Sequence, residues 1–515
     1  MSETKIKRAL ISVFNKEGLG EVVKKLEAHG VEIISTGGTQ DYIQKLGIKC
    51  ISAEDITTYP SILGGRVKTL HPQIFGGILS RRDNQEDQKQ CEMYGISTID
   101  LVIVDLYPFS ETVAAGGSHE EIIEKIDIGG VSLIRAAAKN YQDVVIIPSR
   151  ALYPNLIDIL DNNDAKTTLS QRKNFAGVAF KLTSDYDNAV NKYFISNEVM
   201  DDQLPQNGID IVYSSSKQLR YGENPHQKAV FYGTALQERF DKLHGKELSY
   251  NNMLDVDAAV HLIEEFDQPT AAILKHNTPC GVASGDGILE AYDRALASDP
   301  ISAFGGIIVL NRDVDYEIAN KISEIFFEVL IAPNFSDEAL VKLKEKKNRI
   351  LLRDKIGFDA SKFTFRTILG GLLAQTRDDR IEKLDDLKAT NNTLATDQQI
   401  DDLLFGMKVV KYCKSNAIVL VKDRQVLGAG YGQTSRVDAL KQAIVKAKEM
   451  GFSTEGAALA SDAFFPFSDC VELAAEAGIQ SIIQPGGSIR DEESIQLAKE
   501  KGIPMYITGI RHFRH

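Results

Sequence analysis

The stretch KRALISVFNKEGLGEVVKKLEAHGVEIIS, Lys7 to Ser35, decides the fold. ALISVF is an apolar run of strand length, and LGEVVKKLEAHG carries apolar residues at helical spacing before closing on Gly30. VEIIS then returns as a second strand. Strand, helix and strand in this order form a βαβ unit, whose two strands lie parallel. Farther on, DLVIVDLY and DVVIIPS supply more strands, while EEIIEKI and VSLIRAAAK are helices before and after Asp127. The pattern predicts an α/β domain of about 200 residues on a parallel sheet.

A chain of 515 residues is too long for one domain and suggests about three compact units of roughly 150 residues each. With 43% hydrophobic and 25% charged residues, it can bury several cores without disulfide or metal staples. The 72 acidic against 59 basic side chains leave a net charge of −13, which argues against binding nucleic acid or an anionic membrane. Any anionic ligand must meet a local basic site. The five cysteines lie far apart without a CxxC pair, so neither a disulfide framework nor a structural zinc site is signalled. MSETKIKRAL lacks a signal-peptide pattern and no apolar run approaches membrane-spanning length, so a cytoplasmic protein is expected.

The polar stretch SNEVMDDQLPQNGID, Ser196 to Asp210, reads as the main domain boundary. Beyond it, AAILKHNTPCGVASG leads through an Ala-rich helix to Ser298-Asp299-Pro300, and NAIVLVKDRQVLGAGYG leads similarly to Ser461-Asp462-Ala463. The likeness is weak, and chance similarity is as simple a reading as a duplicated α/β subdomain. A duplication would place a ligand cleft between its halves.

In the first domain, the loop STGGT, Ser35 to Thr39, follows a strand and precedes a helix. Its glycines free backbone N–H groups to face an anion where the helix dipole also favours negative charge. A turn that merely requires glycine is at least as simple. Lys16 and the cluster GRVKTLHP, Gly65 to Pro72, tip the balance, because Arg66, Lys68 and Thr69 gather cations and a hydroxyl in an acidic chain. Together they read as a phosphate pocket. Asp105 and Tyr107 end a strand, where open α/β sheets place ligand contacts, although a turn before Pro108 explains them equally well. IDIGGVSLIRAAAKN sets Asp127, Gly129 and Gly130 before a helix and Lys139 at its far end, where a cation also favours a helix C-terminus.

In the second half, RYGENPHQ packs Arg220, Tyr221, Asn224 and His226 into eight residues, dense for a plain turn. KHNTPCG places Lys275 and His276 after an apolar run, where histidine can act as a base and lysine can stabilise an oxyanion. A lone Lys-His pair is more often incidental. The PC of this segment matches half of a zinc-deaminase signature, but no second cysteine follows and no HxE precedes, so no metal is expected. The terminal RHFRH is either a disordered basic tail or, following the strand-like GIPMYITG without a linker, a strand end inside the fold.

Taken in order, GRVKTLHP, LYPF, IDIGG with AAAKN, RYGENPHQ, KHNTPCG, SAFGG, IAPNF, SDAFFPF, QPGGSIRD and RHFRH resemble the bifunctional purine biosynthesis family, which joins an IMP cyclohydrolase to an AICAR formyltransferase. The resemblance spans essentially the whole chain. It implies a methylglyoxal-synthase-like cyclohydrolase domain over 1–199 and a transformylase domain over 200–515, built from two cytidine-deaminase-like lobes, about 210–370 and 371–515, without zinc. In the second domain, 10-formyltetrahydrofolate would formylate the 5-amino group of AICAR, with His276 as base, Lys275 as neighbouring cation and Asn416 orienting the amine or formyl oxygen. Arg220, Tyr221, Gly305, Glu328, Arg436, Phe464 and Arg511 would hold the nucleotide, and Val437, Asp469, Ser488 and Ile489 the folate. In the first domain, formyl-AICAR would close to IMP, with Lys139 transferring a proton and Lys68, Tyr107 and Asp127 positioning the reacting groups. Ser12, Phe14, Asn15, Lys16, Thr36, Gly37, Gly38, Thr39, Arg66, Val67, Thr69, Val104, Asp105 and Ile128 would bind that nucleotide. The resemblance also implies a homodimer with shared transformylase sites and is compatible with a monovalent cation.

Three positions depart from the family pattern. Asp105 stands where Asn is common, and a carboxylate cannot donate an amide's hydrogen bonds. Thr183-Ser184 replaces a common His-Thr pair, and GAGYGQTSR is looser than Gly-Gln-x-Ser-Arg. Two alternatives follow: a transformylase with an impaired cyclohydrolase, motivated by Asp105, and a nucleotide-sensing regulatory protein, which would need only STGGT and the Arg66 cluster.

Overall fold

The structure is a computed structural model that describes residues 3–63, 66–196, 211, 213, 215–355 and 362–515. Most of the polar stretch read as a boundary, from 197 to 210, therefore lies outside the described residues, as does Gly65. The chain forms two compact units, Met1–Asp201 and Asp202–His515.

The first unit is the expected parallel sheet. Strands β1 (Arg8–Ser12), β2 (Glu32–Ser35), β3 (Ile51–Ser52), β4 (Leu101–Val104) and β5 (Val145–Ile147) lie in the order β3-β2-β1-β4-β5, every neighbouring pair parallel. Helix α1 (Leu19–Ala28) buries Leu19, Val22, Val23 and Leu26, the stripe that its sequence spacing predicts. Leu10, Ile11, Ile33, Val102, Ile103 and Ile146 fill the strands of this core. The order turns back between β1 and β4. At such a switch point the loops leaving two neighbouring strands diverge and leave a crevice at their carboxyl ends. Helices α2 (Gly37–Lys45) and α3 (Gly129–Lys139) begin on loops of this unit, and α4 (Leu169–Ser196) completes it.

The second unit is organised on a twelve-stranded mixed sheet. Its strands are β6 (Phe240–His244), β7 (Thr270–Lys275), β8 (Thr278–Ser284), β9 (Ile307–Leu310), β10 (Val329–Ala332) and β11 (Ile350–Asp354), then β12 (Lys388–Ala389), β13 (Ile418–Lys422), β14 (Gln425–Gly430), β15 (Ala458–Ser461), β16 (Ser481–Gln484) and β17 (Met505–Ile507). They run β6-β11-β10-β9-β7-β8-β14-β13-β15-β16-β17-β12, so the second six repeat the first six in mirrored order. Each half packs corresponding helices: α5 (Tyr250–Ile263) and α6 (Ile288–Ser298) in the first, α7 (Asp397–Val410) and α8 (Arg436–Glu449) in the second. The weak internal likeness is thus a duplication.

The halves meet where β8 and β14 pair antiparallel at Ala283 and Gln425. Side chains reinforce this seam: Ser298 Oγ donates to the Val426 carbonyl at 2.6 Å, Gln425 Nε2 to the Arg294 carbonyl at 2.8 Å, and Lys446 pairs with buried Asp299 at 2.7 Å. Glycine permits the close helix packing. A Cβ at Gly281 would come within 2.0 Å of the Ala295 carbonyl oxygen, and one at Gly430 within 1.9 Å of that of Ala439.

Candidate functional site

In the first unit, the predicted residues gather at the switch-point crevice. Ser12, at the end of β1, lies 3.1 Å from Thr36 across the hydroxyls, and Thr39 exchanges hydrogen bonds with the backbone of Val13 at 2.9 and 3.2 Å. These contacts fix the STGGT loop at the start of α2. Thr36 is its N-cap without a capping side chain, and Gly37 and Gly38 are exposed, leaving backbone donors open to an anion. A Cβ at Gly37 would stand 3.9 Å from Lys68 Nζ, and one at Gly129 would stand 3.4 Å from Thr69 Oγ1. The loop bearing Lys68 and Thr69 therefore passes the starts of both α2 and α3. Val67 forms an isolated bridge with Ile62 in the same loop.

Asp127 is the centre of this group. Its carboxylate accepts the Gly130 N–H at 2.7 Å and the Tyr107 backbone N–H, while the Tyr186 hydroxyl holds its own backbone. A Cβ at Gly130 would fall 2.6 Å from Asp127 Oδ2, so the diglycine makes room for the carboxylate. Burial raises the Asp127 pKa, with the hydrogen bonds and Lys68 acting against it. Burial likewise raises the Tyr107 phenol, helped by Asp127, so tyrosine stays protonated. The Lys16 ammonium, lowered mainly by burial, donates to the carbonyls of Val13 and Phe14 at 2.7 and 2.9 Å. Phe14 and Tyr107 meet edge to face at 5.6 Å, and both rings are exposed, as is Ile128. This set of cations, open N–H groups, phenol and half-buried carboxylate can bind a phosphate and move a proton on a neighbouring amide.

In the second unit, His276 sits on the two-residue turn between β7 and β8 with its side chain exposed. Lys275 Nζ donates to the Phe304 carbonyl at 2.8 Å, next to Gly305, and Glu328 accepts from Asn252 and Lys246 at 3.0 and 3.1 Å. The second group surrounds the start of β13. Asn416 Nδ2 donates to the Gln433 carbonyl at 2.9 Å, and its Oδ1 accepts from Arg436 at 2.8 Å. Arg436 also pairs with fully buried Asp462, which in turn accepts from Ser415 and the Ala417 N–H. Because β7, β8, β14 and β13 are successively antiparallel, the end of β7 and the start of β13 share one sheet edge. Three strand spacings separate them, about 14 Å. His276 and Asn416 therefore line the same edge without adjoining. Of the other predicted contacts, Phe464 is half-buried, while Asp469, Ile489, Arg220 and Arg511 are exposed. Asp469 accepts the N–H of its neighbour Cys470 at 2.8 Å, and Asp491 accepts the Ser488 N–H at 3.1 Å. Arg220 lies over the Tyr221 ring, and Val437 is half-buried in α8.

Residues 137–446 match the family described as AICARFT/IMPCHase bienzyme, and residues 18–132 match the MGS-like domain. The chain is similar along its whole length to proteins named bifunctional purine biosynthesis protein PurH. The one from Bacteroides thetaiotaomicron is 55% identical, with all of both chains covered. Those from Clostridium botulinum and Ruminiclostridium cellulolyticum are 48% and 47% identical, covering 99% of this chain and 100% of theirs. The chain belongs to the AICARFT/IMPCHase bienzyme family.

Within this bienzyme, several predicted contacts take a different form. Asp105 needs no amide donor: its carboxylate accepts the backbone N–H groups of Phe14 and Asn15, the latter at 3.0 Å, and so ties the loop after β1 to the end of β4. Arg66 is exposed and paired with Glu124 in this structure. Arg436, expected to hold the nucleotide, pairs with buried Asp462 and orients Asn416. Lys139 is exposed at the last turn of α3, ten residues and about 15 Å along the helix from the Asp127 end. The structure does not bring it to Lys68, Tyr107 and Asp127 within one chain. The RHFRH tail is anchored to the fold through His512, which is fully buried, with its ring nitrogens 2.6 Å from Asp378 and 2.9 Å from Glu382, while Arg511, Phe513 and His515 are exposed. The sequence reading missed these two carboxylates, because RDDRIEKLDD looks like an ordinary charged loop.

Proposed function

We propose that this bienzyme works in the cytoplasm and performs the last two steps toward IMP, with the cyclohydrolase in 1–199 and the transformylase in 200–515. In the first step, the formyl group of 10-formyltetrahydrofolate passes to the 5-amino group of AICAR. His276 takes the amine proton, Lys275 stabilises the tetrahedral oxyanion, and Asn416 helps orient the substrates from the same sheet edge. In the second, the carboxamide nitrogen of formyl-AICAR attacks the formyl carbon and water leaves. Ring closure is intramolecular, so proximity already supplies much of the rate, up to about 7–11 kcal/mol in favourable cases. Asp127 accepts the amide proton, Tyr107 donates to the oxygen that departs, and Lys68 with the open end of α2 holds the phosphate. The five cysteines are unpaired, which fits a reducing compartment.

The observation that carries this reading is the half-buried Asp127 carboxylate, held by two backbone N–H groups beside Tyr107 and Lys68. Phosphate sensing alone has no use for it. The acceptor role of Asp105 likewise favours a working cyclohydrolase over an impaired one. Incubating the protein with AICAR and 10-formyltetrahydrofolate and separating the nucleotides distinguishes the cases. IMP is expected; accumulated formyl-AICAR would leave only the transferase, and no turnover would refute both activities.

The family resemblance gives Lys139 the proton-transfer role, and its place at the far end of α3 supports its acting in the site of a second copy. A homodimer is the expected assembly. The two-stranded ribbon of Phe363–Ile368 and Gly371–Thr376 supports it, since Ile368, Leu369 and Leu373 are exposed on it. Lys139→Ala and Asp127→Ala chains, each inactive in ring closure, should regain it when unfolded and refolded together; absence of recovery would place Lys139 outside that site.

A further inference from the structure

Two hairpin turns of the duplicated unit are held in the same way. In the second half, Asp402 on α7 accepts the backbone N–H groups of both turn residues, Asp423 at 2.9 Å and Arg424 at 2.6 Å. In the first half, Asp255 on α5 accepts the N–H groups of Asn277 and His276. All four turn residues are left-handed, with φ of 54° and 65° at His276 and Asn277 and of 52° and 58° at Asp423 and Arg424. Such turns fit the twist of a hairpin, but they suit glycine and asparagine rather than histidine or arginine. A carboxylate that gathers both amides offsets this preference. The correspondence is positional as well: Asp255 and Asp402, His276 and Asp423, and Gly281 and Gly428 are each separated by 147 residues. The duplication thus carries one turn-holding device twice, and only the first copy presents a histidine.

We propose that Asp255 is a positioning residue for formyl transfer: it fixes the left-handed turn that presents His276 to the substrate. Its carboxylate holds the turn amides and feels the charges of His276 and Glu328. Burial raises the Asp255 pKa, while the amides and His276 draw it down. Glu328 is itself held by Asn252 and Lys246. This inference rests on the reading of His276 as the base, and Asp402 provides its internal control. There, the same bond pattern holds a turn at the opposite sheet edge.

The test compares His276→Ala, Asp255→Ala, Asp255→Asn and Asp402→Ala in the full chain. Formyl transfer is measured from AICAR and 10-formyltetrahydrofolate, ring closure from supplied formyl-AICAR reports on the first unit, and the thermal unfolding transition of the second unit reports that each variant is folded. Misplacing a reacting group by about 1 Å costs on the order of a hundredfold, so Asp255→Ala should lose about that much kcat while both KM values stay within about threefold. Asp255→Asn keeps one acceptor and should lose only about tenfold. Asp402→Ala should lower the melting temperature yet leave kcat for formyl transfer within about twofold. Equal loss of kcat in Asp255→Ala and Asp402→Ala would overturn the proposal, as would wild-type kcat in Asp255→Ala beside an inactive His276→Ala. An active His276→Ala would instead overturn the base assignment on which the proposal rests. Should Asp255→Ala fail to fold, the kcat of Asp255→Asn decides, with the wild-type value refuting the role.

Discussion

Asp105→Ala should cripple ring closure while sparing formyl transfer. The carboxylate accepts two backbone N–H groups from the loop after β1, at Phe14 and Asn15. Hydrogen bonds to a charged acceptor contribute about 1.5–3 kcal/mol each when buried. Because this loop is half exposed, about 1 kcal/mol each is the safer figure after solvent screening. Losing both removes about 2 kcal/mol of loop order, which at 1.4 kcal/mol per tenfold is about a thirtyfold drop in kcat/KM for formyl-AICAR. The loss should fall mainly on KM, since the loop carries Phe14, Asn15 and Lys16 rather than the groups around Asp127. Asp105→Asn retains one acceptor oxygen but turns its NH2 toward the second amide, so a loss of about fivefold is expected. The assay follows IMP from supplied formyl-AICAR, with formyl transfer measured on the same preparation as reference. Wild-type kcat/KM in the alanine variant would refute the claim that this carboxylate holds the loop. An asparagine variant faster than the parent would show that an amide contact to the nucleotide outweighs it.

His276→Ala should lower formyl transfer by about 10²–10⁴ in rate, the usual worth of a general base, with ring closure of supplied formyl-AICAR unchanged. Gly430→Ala forces a Cβ to within 1.9 Å of the Ala439 carbonyl and must displace α8, so calorimetry should show the second unit destabilised. Overpacking of this kind costs about 1–3 kcal/mol or more. His512 has its pKa raised to about 9, burial opposing but Asp378 and Glu382 prevailing. A raised folded value means the stabilisation is fully present below the unfolded histidine pKa and lost as pH rises through about 9. Urea midpoints between pH 6 and pH 10 should fall accordingly, and His512→Ala, which strands two carboxylates, should be weaker by about 3–5 kcal/mol at neutral pH and lack that decline.

The first unit was readable because its strands and α1 obey simple periods. Leu19, Val22, Val23 and Leu26 all face inward, and the strand ends at Ser12, Thr36 and Asp105 fall where a parallel sheet places its ligands. The duplication was barely readable because the positions that the two halves share are few and serve packing or turn geometry. Gly281 and Gly428 exist to let α6 and α8 approach, and Asp255 and Asp402 look like surface carboxylates in a helix. Only their constant spacing, tested together with the two Lys-x-x turns at Lys275 and Lys422, would have revealed them. Charge was legible as composition but not as pairing. Arg66 reads as part of a phosphate pocket and Arg436 as a nucleotide contact, and neither reading could foresee their ion pairs with Glu124 and Asp462, distant in sequence. Motif spacing already sets Lys139 at the far end of an eleven-residue helix from Asp127, and only the resemblance groups the two in one site.

The seam at Ala283 and Gln425 has an evolutionary consequence. Two like halves meeting edge strand to edge strand, antiparallel and about an approximate two-fold axis, have the geometry of an isologous contact between identical subunits. A gene encoding one half could have made the whole sheet by self-association. Fusion would free the halves to diverge: one hairpin now carries His276 and the other Asp423 and Arg424, so a single chain has two edges that differ in chemistry.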